Sequence, residues 1–100
     1  MKTFNDLVFK PHSIKTGGVR AIMKLDNGYT ISVVGGSEGL YGDGVETFEV
    51  AMFDRFNEMI NLSKYDQVIG WCSKDEITEI IKKFDNKLNI DFKLNINGGE

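Results

Sequence analysis

Four carboxylates bracket the glycine-rich middle of this chain. Glu38, Asp43, Glu46 and Glu49 lie in or just after Gly35–Gly44, where five of ten residues are glycine. Clustered carboxylates are the ligand type of a hard divalent cation. A glycine-rich turn can also offer successive backbone N–H groups to an anion. Neither pattern is complete here. The stretch lacks the Gly-Lys-Ser/Thr ending of a phosphate loop and the spaced acids and closing Glu of an EF-hand. Residues 25–54 carry six acids (Asp26, Glu38, Asp43, Glu46, Glu49, Asp54) and no Lys or Arg. The chemistry left is contact. Glu38, Leu40, Tyr41, Asp43, Glu46 and Glu49 form the candidate binding set, with Leu40 and Tyr41 either packed on a sheet or exposed. The plain alternative is a solvated acidic loop.

No catalytic or metal-binding constellation is visible elsewhere. His12 is the only histidine and Cys72 the only cysteine, so a Cys/His zinc site lacks ligands and an internal disulfide is impossible. Sequence places no nucleophile or acid beside His12. Cys72 reads as a small buried apolar group, since reactivity would need an activating neighbour. The expectation is a protein with no enzymatic activity, cofactor or metal.

One hundred residues, 41% hydrophobic and 27% charged, fit one globular domain spanning 1–100. The net charge of −3 is uneven: residues 1–24 carry five basic groups and one acid. The acidic middle gives nucleic acid no basic patch, so no direct binding is expected. The first residues lack the apolar core of a signal peptide, and no run approaches membrane-spanning length. A cytoplasmic location with no membrane contact is the expectation.

Those residues need elements to position them. Val19–Leu25 and Tyr29–Val34 both have apolar odd positions. A two-residue turn at Asn27-Gly28 would mix the faces. A three-residue Asp26-Asn27-Gly28 loop pairs Leu25 with Tyr29, Met23 with Ile31 and Ala21 with Val33, all on one face. It also puts Gly28 at the left-handed position of a bulged hairpin. Thr47–Phe53 reads as a third strand, with Phe48, Val50 and Met52 facing one way. Residues 54–57 form a turn, and 58–62 a short fourth strand or, alternatively, a helical turn. Val68–Cys72 is a compact apolar run in which Trp71 is expected to anchor the core. Ser73 and Glu76 make a capping box. Ile77, Ile80, Ile81 and Phe84 form one stripe of a helix over Lys74–Asp85. In Leu88–Ile96 five apolar residues alternate with four polar ones, a strand that joins the same sheet or pairs with a second copy in a homodimer. The fold class is α+β: an antiparallel meander of three to five strands, covered on one face by a helix in the C-terminal half.

The segments 4–12 (Phe-Asn-Asp-Leu-Val-Phe-Lys-Pro-His), Gly18-Val19-Arg20-Ala21, Asp26–Val34, Tyr41-Gly42, Glu49-Val50-Ala51 and Val68-Ile69-Gly70-Trp71 resemble a family of small bacteriophage proteins of unknown function. With the helix, the resemblance covers roughly the first 85 residues; Leu88–Ile96 departs from it. It implies phage origin, a location in the infected host's cytoplasm, and a role among accessory proteins that bind host factors or inhibit host defence. The expected partner is therefore a host protein, met through the acidic glycine-rich loop or an exposed edge strand. The alternatives are a binder of a nucleotide-like small ligand, or a structural homo-oligomer joined by strand addition at 88–96.

Overall fold

The computed structural model describes residues 2–12, 17–37, 40–62 and 66–85. A 3-10 turn at Phe4–Asp6 leads into β1 (Lys10–Pro11), β2 (Val19–Lys24), β3 (Thr30–Gly35), β4 (Thr47–Phe53), β5 (Met59–Ile60) and β6 (Val68–Ser73). Helix α1 follows at residues 74–85. The strands form one antiparallel sheet, β1-β2-β3-β4-β5, with β6 also paired to β4. This is the α+β meander read from the sequence. Glu38 and the strand expected at 88–96 lie outside the described residues.

The apolar alternation set the hairpin register. Ala21 pairs with Val33 and Met23 with Ile31. Leu25 N–H donates to the Tyr29 carbonyl (2.7 Å) and Gly28 N–H to the Leu25 carbonyl (3.0 Å), closing a three-residue loop with Gly28 at φ 98°. The β4–β5 connection repeats the device. Asp54 N–H donates to the Glu58 carbonyl (2.8 Å), and Asn57 N–H donates to the Asp54 carbonyl (2.9 Å) from φ 66°.

β5 and β6 are two pieces of one strand. Met59 and Ile60 pair with Phe53 and Met52; Val68 and Ile69 then continue along Ala51 and Val50. The excursion between them is pinched at its base, where Leu62 N–H donates to the Asp66 carbonyl at 2.9 Å.

The core lies on one face of the sheet. Ala21, Ile31, Val33, Phe48, Val50 and Met52 meet Ile77, Ile81 and Phe84 of α1, with Leu7, Leu25 and Cys72 completing the cluster. Each large apolar side chain buried this way contributes about 1.5–3 kcal/mol. Phe4 and Phe9 seal one end against Phe48, with ring centroids 5.2–5.7 Å apart. Phe4 N–H donates to Thr78 Oγ1 (3.1 Å), tying the lead-in to the helix. The capping box is formed: Glu76 N–H donates to Ser73 Oγ (3.1 Å) and Ser73 N–H to Glu76 Oε1 (2.9 Å).

Trp71 departs from expectation. It is 62% exposed, not a core anchor. Phe48 pairs with Cys72 and Val50 with Ile69, so Gly70 and Trp71 together oppose Glu49 in a β-bulge. Regular alternation from Ile69 would have turned Trp71 inward. The extra residue gives that place to Cys72, which is buried.

Candidate functional site

The glycine-rich connection between β3 and β4 is folded down by its own backbone and carboxylates. Gly36 N–H donates to the Gly42 carbonyl (3.0 Å), Leu40 N–H to the Ser37 carbonyl (3.0 Å) and Gly44 N–H to the Thr47 carbonyl (2.9 Å). Asp43 does most of the local work. Its Oδ1 accepts the N–H groups of Val45, Glu46 and Thr47 at 2.8, 2.8 and 2.9 Å. Its own N–H donates to Thr47 Oγ1 (3.0 Å). Bonds from Thr47, Val45 and Glu46, in that order of effect, hold the carboxyl down from 3.8 to about 2. They favour the ionised form because only the carboxylate accepts so many donors.

The other acids divide between structure and surface. Glu46 lies 3.7 Å from Lys74 at the start of α1, in an exposed pair. Such a pair contributes little stability. The Lys74 ammonium also sits 5.7 Å from the Phe4 ring centroid. Glu49 is half-buried on the sheet face away from the core, and its Oε1 accepts the Tyr41 N–H at 3.1 Å. Leu40 is half-buried.

Tyr41 is the pivot. Its N–H goes to Glu49, and its carbonyl accepts the N–H of Trp71 at 2.7 Å. Its side chain lies directly over Gly70, where a Cβ would collide with Tyr41 Cβ. Glycine at 70 therefore leaves room for the loop to seat on the bulge. Tyr41 is 59% exposed. The structure thus brings Tyr41, Glu49 and Trp71 together and sends Asp43 and Glu46 to other partners. Trp71 lay outside the sequence-derived set. Its signal was Gly70, since a glycine inside a strand pattern marks a bulge.

The Trp71 backbone is unusual. At φ 56° it occupies the left-handed region, where a bulky side chain costs on the order of 1–3 kcal/mol. An indole left 62% exposed recovers little burial in return. Among the described residues, no group of three or more His, Cys, Asp or Glu side chains could hold a metal ion. No helix of the described residues is long and apolar enough to cross a membrane. No family model, curated protein or solved structure matches the chain.

Proposed function

We propose that this is a small phage accessory protein that binds a host protein in the cytoplasm of the infected cell, with Tyr41 and Trp71 as its anchors. The observation that carries the reading is the exposed Trp71, held at positive φ and hydrogen-bonded through its backbone to an exposed Tyr41. Tryptophan and tyrosine dominate the energetics of protein interfaces when they enter a partner's pocket. Stability alone favours glycine or asparagine at such a backbone position. Glu49 lies beside Tyr41 and Trp71, so the partner presents a cationic group next to an apolar pocket. The resemblance to phage proteins supports the origin and the class of partner. Inhibition of a host-defence protein by occupying its surface is the activity that follows from binding of this kind.

Capture from host lysate with the wild type, Tyr41→Ala and Trp71→Ala tests it. The expected result is a host protein retained in stoichiometric amount by the wild type and lost with either variant, while thermal melting shows both variants folded. Equal retention by all three, or no stoichiometric protein on the wild type, overturns the reading.

A further inference from the structure

Lys10 of β1 and Arg20 of β2 are cross-strand partners, so two cations stand side by side at the edge of the sheet remote from β6. Side chains directly opposite lie about 5 Å apart at Cβ, and like charges in that relation destabilise a sheet. Neither cation has an ion pair among the described residues. Asp6, the one acid in residues 1–24, is occupied by the Thr3 N–H at 2.8 Å. Ala21 is in the core, so Arg20 and Ile22 on either side of it face away from α1. Both cations line an open cleft of about 500 Å³, and the rest of its described lining is aliphatic: Val8, Pro11 and Ile22. Val8 is 70% and Ile22 53% exposed. Among the described residues none of β3 lines the cleft, and Val34, the β3 partner of Arg20, is already buried.

We propose that this cleft binds an aliphatic phosphate monoester, which goes beyond the host-binding reading and lies at the opposite edge of the sheet from Trp71. Its volume is that of a small-molecule site. Two cations with no carboxylate paired to them match a phosphate monoester, whose charge is about −1.5 to −2 at neutral pH. The Arg20 guanidinium presents a fork to two phosphate oxygens, and the Lys10 ammonium meets the third as a point charge. The anion between them turns a repulsive pair into an attractive trio. The alkyl chain lies along Val8, Pro11 and Ile22 and takes their exposed carbon out of water. A nucleotide is the poorer ligand, because a base stacks on an aromatic face and the described lining holds none.

Isothermal titration calorimetry on the full chain tests this, with octyl phosphate and decyl phosphate held below their micellar concentrations. Octyl phosphate is expected to bind, and decyl phosphate to bind tighter by about two- to fourfold for each added methylene. Inorganic phosphate and adenosine monophosphate are expected to bind more weakly than octyl phosphate, on the order of tenfold or more. Arg20→Gln weakens octyl phosphate on the order of tenfold. Ile22→Ser, at an exposed position, reduces the gain from the longer chain. Lys10→Glu sets opposite charges across β1 and β2, so binding is lost while the melting temperature stays at the wild-type value or rises. That pair of readings separates a ligand site from a structural role. No binding of either alkyl phosphate overturns the proposal, as does equal binding by wild type and Lys10→Glu, or tighter binding of adenosine monophosphate than of octyl phosphate. Binding to phosphatidic acid vesicles with none to the soluble esters assigns the patch to a membrane surface and likewise overturns it.

Discussion

The Asn27 side-chain amide donates to the Phe84 carbonyl at 2.6 Å, so the turn of the first hairpin holds the last described turn of the helix. The same side chain accepts the Tyr29 N–H through Oδ1 (3.1 Å), and the Tyr29 ring meets the Phe84 ring edge-on at 5.4 Å. One asparagine therefore shapes the loop and docks the helix across 57 residues of sequence. Asn27→Ala leaves both groups without their partner and is expected to destabilise the domain by about 1–3 kcal/mol. Asn27→Asp keeps the acceptor for Tyr29 but removes the donor, and sets a carboxylate against two carbonyls. With the Phe84 and Asp85 carbonyls 2.6 and 3.4 Å from that position, it should be at least as damaging at neutral pH. Urea denaturation of the two variants against wild type measures both.

Gly28 stands at φ 98°, and a Cβ there would lie 2.9 Å from Arg55 Cβ in the neighbouring hairpin loop. Gly28→Val combines a backbone conformation that β-branched residues resist with a side-chain collision. A loss of about 2–4 kcal/mol is expected. A variant melting with the wild type would contradict the three-residue loop.

The Asp43 carboxyl is held at about 2 in the folded protein, against 3.8 when free of its three backbone donors. As pH falls, the unfolded chain takes up this proton first, so protonation favours unfolding. The stability from this group is present above about pH 4 and is lost as pH falls through about 2. Glu76 is lowered in the same direction, by its bonds to Ser73. Asp43→Asn is expected to reduce the pH dependence of the melting temperature in that window, leaving the slope due to Glu76. An unchanged slope would show that the carboxylate does not organise the loop.

How much of this was legible in the sequence depends on the range of the interaction. The hairpin register followed from alternation and one glycine, all within the thirteen residues of 21–33. The helix followed from its capping box and one apolar stripe. The candidate set was less so. Asp43, chosen for its charge, is consumed by N–H groups two to four residues away, a short-range pattern that acidic composition obscured. Trp71 was placed in the core because an apolar run resembles a buried strand. Its exposure depends on how β6 registers against β4 and on the Tyr41 carbonyl thirty residues earlier. No local rule contains either fact. Tyr41 and Glu49 were in the set, but that they converge on Trp71 is a tertiary result.

Trp71 gives a test in which stability and binding move apart. Trp71→Asn places a residue tolerant of the left-handed region at φ 56°. It is expected to be as stable as the wild type or more so, by up to about 1 kcal/mol. Capture of the host protein is expected to fail. Thermal melting and capture on the same preparation give both readings. A clear loss of stability would mean that the indole supports the fold.

Cys72 is buried opposite Phe48, and its thiol is pushed up first by burial and then by the Glu76 charge. Only the thiolate reacts, so native protein should resist alkylation near neutral pH. Iodoacetamide labelling should appear only as denaturant unfolds the chain, tracking the loss of far-ultraviolet circular dichroism. Rapid labelling of the native state would show that the β6–α1 corner opens.

The break between β5 and β6 gives the architecture a point of growth. Since Met59–Ile60 and Val68–Ser73 are each fixed by β4, the register of the sheet does not depend on the length of chain between them. Doubling that excursion costs only about 0.6 kcal/mol of closure entropy. A reporter peptide or a new recognition element can be spliced in at this position, and the scaffold beneath it keeps its shape.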